Sequence, residues 1–372
     1  MLRLITSFFV LVLLMPFIQS CSEETETIDI PDPPHYVEIP EDNHDGLLVD
    51  SPENHGVLFS DLQAAYKKAG SMPYLYSILI IKNGYLIAER YFNGAKYNHA
   101  KYTASVTKSF ISALTGIAIE KGYFSLDSKM LDFFPEYITS GMDSKKFEIT
   151  IRHLITMRAG YPYDSVDELW RAWVTSSNWV KYAIQQPLVK NPGQVWDYSS
   201  ASSHILSAII TKAAGMSTKE FASEYLFNPA RIKLGNWGRD PQGIYLGGWD
   251  IYMTPRNMAK FGLLYLNEGK IDSTQIIPVD WVNESTKPIS TTGWDWGEFK
   301  GSRYGCLWWI AKVRNIDCYY AQGHGGQNIL VIPSLDTVIV TTANADNSFG
   351  DGWVQSLNVA KFIADYIVNV IK

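Results

Sequence analysis

The position of the strand signals, which cluster near the two ends, most limits how this chain can fold. Two apolar segments, 77–82 and 85–91, are joined by Asn83-Gly84. That pair supplies the positive φ angles of a tight hairpin turn. Residues 104–285 then follow helical periodicity, with repeated Gly or Pro stops. Strand signals return in four segments: 304–311, 318–322, 328–332 and 337–342.

This order predicts an α/β (α+β) fold in which one antiparallel sheet is completed by N- and C-terminal pieces. Helices over 60–69 and 354–371 are expected to flank the sheet. We expect a sheet lobe built from about 55–100 and 290–372, and a mostly helical lobe over about 101–289. A cleft between the two lobes is the natural place for a site.

The first twenty-one residues have the pattern of an export signal. Arg3 precedes an apolar run over 4–18, and Cys21 follows Gln19-Ser20. This ending resembles a bacterial lipobox, which implies a lipoprotein signal peptide over 1–21 and lipidation of Cys21. The resemblance implies export to the outer membrane, with the protein facing the periplasm or the cell surface. An ordinary signal peptide that ends near a cysteine is the alternative.

Residues 22–45 are predicted to be a disordered acidic tether. They hold nine acidic residues, four prolines and no Lys or Arg, so they cannot bury a core. Because the whole chain carries a net charge of −6, the body over 46–372 is close to neutral. It contains no basic block, so we expect no nucleic-acid partner. Membrane contact is expected only through the lipid on Cys21.

Two further cysteines, Cys306 and Cys318, flank two strand signals around a turn near 312–315. Positions 306 and 318 are expected to face each other across that hairpin. An exported protein meets an oxidising compartment, so a disulfide between them is one interpretation. Two buried free thiols are the other.

The segment Ser105-Val-Thr-Lys108 is the only Ser-x-x-Lys in the chain. Apolar residues at helical spacing follow it as far as Gly122, so Ser105 falls in the first turn of a helix with Lys108 on the same side. A helix N-terminus favours developing negative charge, and a desolvated lysine offers a neutral amine as a base. By itself, the tetrapeptide favours a serine at a helix start and a solvated lysine.

Two further motifs change that interpretation. Tyr198 and Ser200 stand two residues apart, after a Pro-Gly turn and before a predicted helix over 202–214. A glycine-rich segment, 323–327, lies between two predicted strands, where small residues let a substrate approach backbone N–H groups. No Gly-x-Ser-x-Gly elbow and no His-Glu-x-x-His helix competes with them.

With these three motifs in order, the chain resembles the serine β-lactamase and penicillin-recognising superfamily. It is most similar to the class C-like branch of esterases, D-stereospecific peptidases and 6-aminohexanoate-dimer hydrolases. The similarity runs from about residue 60 to the C-terminus and includes 125–135, 150–160 and 254–269. It implies a β-lactamase/transpeptidase-like fold, a serine hydrolase domain over 46–372, and no cofactor or metal.

The resemblance implies a role for each catalytic residue. Ser105 matches the nucleophile and Lys108 its partner base. Tyr198 matches the phenol that relays the proton between nucleophile and leaving group. Ser200 matches the residue that hydrogen-bonds the lysine and the substrate.

The glycine-rich segment is expected to bind substrate. His324, Gly325 and Gly326 match the Lys-Thr-Gly or His-x-Gly element of the family. The backbone N–H groups of Ser105 and Gln327 are expected to form the oxyanion hole.

Two departures from β-lactamases bear on the substrate. His324-Gly325-Gly326 removes the cation and the hydroxyl that hold a substrate carboxylate, and no Glu-x-Leu-Asn segment follows the first motif. We therefore expect hydrolysis of a small or peptide-like linear ester or amide. A D-Ala-D-Ala carboxypeptidase or β-lactamase is one alternative. A non-catalytic surface binding lipoprotein of the same fold is the other.

Aromatic residues after Gly160 are predicted either to form a wall or lid over the cleft or to pack in the core; they are Tyr161, Tyr163, Trp170, Trp173 and Trp179. His153 and His204 lie in apolar helical patterns and are expected to have structural roles. His324 is the one histidine expected in the site.

Overall fold

The computed structural model describes residues 39–162 and 167–371. The expected signal peptide with Cys21, residues 22–38 of the expected tether, and Tyr163 lie outside the described residues. Lipidation and export therefore stay predictions. Within the described residues, no helix has the length and apolar character needed to cross a membrane. The same residues contain no cluster of His, Cys, Asp and Glu suited to a metal ion.

The described strands and helices follow the expected order, but the single strand expected over 304–311 is wrong, because one strand ends at Tyr304 and the next begins at Trp309. The strands are β1 Leu48–Val49, β2 Leu75–Lys82, β3 Tyr85–Tyr91, β4 Lys101–Tyr102, β5 Tyr252–Met253, β6 Lys270–Ile271, β7 Thr274–Gln275, β8 Ser290–Thr291, β9 Phe299–Tyr304, β10 Trp309–Val313, β11 Ile316–Gly323, β12 Gln327–Ile332 and β13 Thr337–Ala343. The helices are α1 Phe59–Gly70, α2 Thr107–Glu120, α3 Ile151–Ile155, α4 Asp167–Val174, α5 Trp179–Gln185, α6 Ser200–Ala214, α7 Thr218–Ala222, α8 Pro255–Leu266, α9 Val279–Ser285 and α10 Phe349–Phe362.

Nine strands form one sheet in the order β1-β3-β2-β13-β12-β11-β10-β9-β8. Neighbouring strands are antiparallel except at one edge, where β1 runs parallel to β3. N-terminal β2 pairs directly with C-terminal β13, with Ile80 opposite Ile339. Asn83 and Gly84 both have positive φ in the β2–β3 turn. The predicted sheet, closed by the two ends of the chain, is therefore confirmed.

The core lies where helices cover the middle of this sheet. Every residue of β12 and β13 is buried, and α8 packs on them and on β2. Gly262 lets α8 approach closely, because a Cβ there would lie 2.5 Å from Cγ1 of Val338. Helix α2 is buried from Thr107 to Ala118, and this buried stretch includes Lys108 and several hydroxyl side chains as well as apolar residues. Its position places Ser105 beside the sheet, half-buried at the cleft.

The β10–β11 hairpin corrects the expectation about the two cysteines. Its two-residue turn is Arg314 and Asn315, so Cys318 pairs with Ala311 and not with Cys306. In such a hairpin, a residue three positions after the turn faces the residue three positions before it. Both cysteines are free and buried. The expected facing of 306 and 318 was wrong, and so was the disulfide interpretation.

The last residues of the expected tether contact the body. Asp45 forms ion pairs with Arg256 and Lys260 of α8, at 3.4 and 3.5 Å. The backbone carbonyl of Glu41 accepts a hydrogen bond from Arg256 at 2.6 Å. Arg256 also pairs with Glu89 of β3 at 2.5 Å, in a nearly buried environment. Contacts with the body thus begin before the expected boundary at residue 46.

Candidate active site

Ser105 lies in a tight helical turn, Ala104–Val106, that leads into α2. Ala104 has φ of 49°, a left-handed conformation that is costly for a residue with a Cβ. Thr103 fixes the turn by donating its N–H and its hydroxyl to the carbonyl of Ile251, at 2.9 and 2.8 Å. Gly323 of β11 packs against the turn, because a Cβ there would lie 2.3 Å from the carbonyl oxygen of Thr103. Tertiary contacts therefore hold the strained turn in place.

Lys108 is buried on α2, and its Nζ reaches several oxygen atoms. It donates to Oγ of Ser105 at 3.0 Å, to Oγ of Ser200 at 3.1 Å and to the carbonyl of Gly248 at 2.7 Å. The ring centroid of Tyr198 lies 4.8 Å from the same Nζ. The structure thus brings the predicted nucleophile, base and phenol, with Ser200, around one point.

The start of α6 positions Tyr198 and Ser200. Ser199 caps this helix by accepting a hydrogen bond from the N–H of Ser202 at 3.0 Å, which places Ser200 in the first turn. The ring of Tyr198 stacks on Trp309, with centroids 6.0 Å apart and planes 22° apart. The Tyr-x-Ser spacing therefore directs both side chains to Lys108.

The contribution of Gly248 was missed by the sequence analysis. Gly247, its neighbour, lies against α6, because a Cβ there would be 2.1 Å from the carbonyl oxygen of Ser203. This close approach carries the carbonyl of Gly248 to Lys108. The adjacent glycines before Trp249 were the signal available in the sequence.

His324 follows β11 and lines the cleft, as predicted. Its Nε2 is 2.7 Å from Oδ1 of Asn347, whose amide donates to Gln355 at 3.0 Å. Gln355 of α10 in turn donates to the carbonyl of Gly325 at 2.6 Å. A Cβ at Gly352 would lie 1.9 Å from Cε1 of His324. Helix α10 and the residues just before it therefore set the position of His324. No motif in the sequence predicted these contacts.

Two glycines expected to bind substrate and one residue expected in the oxyanion hole lie elsewhere. Gly325 and Gly326 form the β11–β12 turn with φ of 81° and 102°, and neither lines the cleft. Gln327 is completely buried, and its side-chain amide pairs with the backbone of Ala343. Gln327 does not line the cleft, so it is not available there as an oxyanion-hole donor. Gln322, at the end of β11, lines the cleft instead.

The aromatic residues after Gly160 divide between the cleft and the core. Trp170 lines the cleft. Trp173 is buried and donates its indole N–H to the carbonyl of Trp179 at 3.0 Å. Tyr161 is buried, and its hydroxyl donates to the carbonyl of Ile184. Among the described members of this group, only Trp170 is therefore part of a wall.

Two histidines have the structural roles that were expected. His153 completes a capping box with Thr150 at the start of α3. His204 is completely buried, and its Nε2 lies 3.0 Å from Oδ2 of Asp240.

The cleft has a volume of about 440 Å³ and is lined by Ser105, Tyr198, Ser200 and His324 among others. Tyr304 packs near Tyr198, with ring centroids 6.3 Å apart. Burial raises the pKa of Tyr304 well above its usual value, so this second phenol stays protonated. A hydroxyl, an amine and a phenol around one cleft are an arrangement suited to nucleophilic attack on a carbonyl group.

Known proteins share the fold. The family model described as "Beta-lactamase" matches residues 74–361. The 6-aminohexanoate-dimer hydrolase of Paenarthrobacter ureafaciens is 22% identical over 291 residues, which cover 71% of this chain and 71% of that protein. The structure of EstCE1, a hydrolase with promiscuous acyltransferase activity, aligns with a TM-score of 0.66 at 15% identity, covering 82% of this chain and 98% of that chain.

A D-stereospecific amidohydrolase from Streptomyces sp. aligns with a TM-score of 0.60 at 14% identity, covering 80% of this chain and 97% of that chain. At these identities, the two solved structures establish a shared fold. The family match spans well over half of the sequence, and it includes the Ser105 turn, the start of α6 and the end of β11. The protein therefore belongs to the β-lactamase family.

Proposed function

We propose that the protein is a serine hydrolase that cleaves an ester or amide bond through an acyl-enzyme on Ser105. The observation that carries the proposal is the 3.0 Å contact between Nζ of Lys108 and Oγ of Ser105 beside the cleft, with the Tyr198 ring 4.8 Å from that Nζ. Family membership and the hydrolase names of its relatives support it.

The proposed reaction has two halves. Oγ of Ser105 attacks the substrate carbonyl carbon while its proton passes to the Lys108–Tyr198 pair. The carbon–oxygen or carbon–nitrogen bond to the leaving group breaks, and the leaving group takes that proton. Water then attacks the acyl ester, giving one proton to the same pair and hydroxyl to the acyl carbon. The acid leaves, and Ser105 regains its proton.

Negative charge develops on the substrate oxygen in both halves. The N–H of Ser105, in the turn that leads into α2, is one donor for that oxyanion. We place the second donor on the backbone at the end of β11, where Gln322 and His324 line the cleft. Loss of one oxyanion donor costs about 3–4 kcal/mol of transition-state stabilisation in comparable enzymes.

The direct test is turnover of p-nitrophenyl acetate combined with mass spectrometry of the acylated protein. We expect an acetyl adduct on Ser105 and a loss of at least about 10³ in kcat for Ser105→Ala. Ser112→Ala, which changes a buried serine on α2 outside the cleft lining, is the matched control and should keep its activity. Full activity in a folded Ser105→Ala protein would contradict the proposal.

The same assay separates the alternatives. Turnover of nitrocefin, or labelling of Ser105 by a fluorescent penicillin, would favour a β-lactamase or a D-Ala-D-Ala carboxypeptidase. No adduct with p-nitrophenyl acetate, penicillin or a fluorophosphonate would favour a binding protein without catalysis.

We also propose that the protein is anchored by a lipid on Cys21, because the sequence around Cys21 resembles a lipobox. The test is metabolic labelling of the full chain with radioactive palmitate in a bacterial host. We expect label and membrane recovery for the wild type and neither for Cys21→Ser. Equal labelling of the two proteins would contradict the anchor.

A further inference from the structure

Tryptophans dominate the lining of the cleft. Half of the twelve tryptophans of the chain line it. They are Trp170, Trp249, Trp294, Trp296, Trp309 and Trp353. They come from α4, from two loops, from β10 and from α10, so they are far apart in the sequence.

These rings pack against other aromatic rings. Trp170 and Trp249 have centroids 4.4 Å apart, and Trp173 and Trp179 pack behind Trp249 at 5.5 and 5.7 Å. Because Trp173 is buried, this side of the cleft is backed by core. A wall of packed aromatic rings suits a flat apolar group, which loses little of its own freedom on binding.

A second set of cleft tryptophans packs in the same way. Trp296 and Trp353 have centroids 4.3 Å apart, and Phe349 lies 6.5 Å from Trp353. Trp353 and Phe349 belong to α10, the helix that also sets the position of His324. Helix α10 therefore contributes aromatic rings to the cleft and also positions His324.

Within the described part of the chain, the cleft lining includes no Asp, Glu, Lys or Arg. Its polar members are hydroxyl, amide and imidazole groups, such as Ser200, Gln322, Asn347 and His324. A carboxylate or ammonium group on a substrate would lose water here without gaining an opposite charge, which is costly. A volume of about 440 Å³ falls in the range of sites for drug-sized ligands, roughly 300–1,000 Å³.

From this lining we infer that the substrate is an uncharged ester or amide with a broad apolar body, best filled by an aryl group. The inference rests on the proposed function, since it names the substrate class of the same site. It distinguishes this chain from enzymes that hold a substrate by its free carboxylate.

The test uses p-nitrophenyl esters of 3-arylpropionic acids that differ only at the para position of the aryl ring. Two pairs are compared: tert-butyl with trimethylammonio, and carboxamide with carboxylate. Within each pair the shape is kept and the charge changes. We expect kcat/KM to be at least about tenfold higher for the uncharged member of each pair. The tert-butyl ester should also exceed p-nitrophenyl acetate in kcat/KM.

Substitutions of the cleft tryptophans test whether their rings cause the preference for uncharged aryl esters. Trp170→Ala and Trp353→Ala should each raise KM for the tert-butyl ester several-fold to about tenfold, and this increase should be larger than the increase in KM for p-nitrophenyl acetate. Tyr97→Ala, an exposed aromatic outside the cleft lining, is the control. Binding of the intact esters to Ser105→Ala can be measured by the quenching of tryptophan fluorescence. The affinities should rank the esters in the same order as kcat/KM, although no catalysis takes place.

Each outcome bears on a different claim. Equal kcat/KM within both pairs, or preference for the carboxylate, overturns the inference, and the acetyl adduct on Ser105 still supports the proposed function. Preference for trimethylammonio also overturns it, because the ring faces then bind a cation. If Ser105→Ala binds the uncharged esters more tightly than the charged ones but the wild type hydrolyses none of them, the inferred ligand class is supported and the proposed function is overturned.

Discussion

The carbonyl oxygen of Gly248 accepts a hydrogen bond from Nζ of Lys108 at 2.7 Å. The same Nζ lies 3.0 Å from Oγ of Ser105, so a loop far along the chain helps to hold the lysine against the serine. The next residue, Trp249, lines the cleft. One short loop therefore contributes both to the position of Lys108, the proposed base, and to the wall of the cleft.

Lys108→Arg should inactivate the protein as thoroughly as Lys108→Met. A guanidinium stays charged and cannot accept the serine proton, and its planar head does not fit a site for a single Nζ. We expect kcat for an activated ester to fall by about 10²–10⁴ in both variants. Lys121→Met, at the C-terminal end of α2, is the control. A kcat near the wild-type value in Lys108→Arg would mean that Lys108 is not the base.

Gly352→Ala should damage the site, whereas Gly350→Ala in the same helix should not. A Cβ at 352 would lie 1.9 Å from Cε1 of His324, but nothing lies within 4 Å of one at 350. We expect kcat/KM for the aryl ester to fall at least about tenfold for Gly352→Ala. Gly350→Ala should keep activity and gain up to about 1 kcal/mol of stability, since alanine favours a helix. Equal kinetics in the two variants would show that His324 contributes nothing.

Arg256→Met should destabilise the fold strongly. The side chains of Arg256 and Glu89 are only 3% and 7% exposed, so the substitution leaves Glu89 with a buried charge that has lost this partner. Removing one member of such a pair costs about 3–5 kcal/mol. Lys312→Met breaks the exposed pair with Asp317 and should cost no more than about 1 kcal/mol. Urea unfolding, monitored by circular dichroism, gives the free energy of unfolding of each variant. Similar losses of stability in the two variants would contradict the argument.

Cys306 and Cys318 should be unreactive in the native protein. Burial raises the pKa of each thiol to about 12, and the thiolate is the reactive form. At pH 8, a thiol reagent such as Ellman's reagent should modify neither cysteine until the protein is unfolded. Dithiothreitol should leave Tm unchanged. A fall in Tm on reduction would indicate a disulfide after all.

His153 should make the protein less stable in acid. Burial, with Lys129 and Arg158 nearby, lowers the pKa of His153 below its usual value of 6.5. The folded state then binds fewer protons than the unfolded state, so this contribution to stability is present above about pH 6.5 and is lost as the pH falls.

His153→Gln removes this titration but retains a side chain that suits a capping box. The free energy of unfolding should therefore fall less between pH 7.5 and pH 5 in the variant than in the wild type. His99→Gln, which changes an exposed histidine, should leave that difference unaltered. An unchanged pH dependence in His153→Gln would show that another group is responsible.

The sequence by itself determined the local elements and the three motifs. Asn83-Gly84 specified a hairpin because few residues tolerate positive φ, and α2 could be predicted because apolar spacing reports a helix directly. The Ser-x-x-Lys spacing predicted that Ser105 and Lys108 share one face of a helical turn, and the resemblance to the superfamily implied the roles of these two residues and of Tyr198; the structure brings the three together.

Tertiary structure alone decided what surrounds these residues. The carbonyl of Gly248, the support of His324 by α10, and the burial of Gln327 depend on contacts between distant segments. The spacing of residues in the sequence cannot predict these contacts, because every residue type except proline has both a backbone carbonyl and a backbone N–H. The six tryptophans of the cleft likewise converge only when helices and sheet pack, since each stretch alone is equally suited to a core.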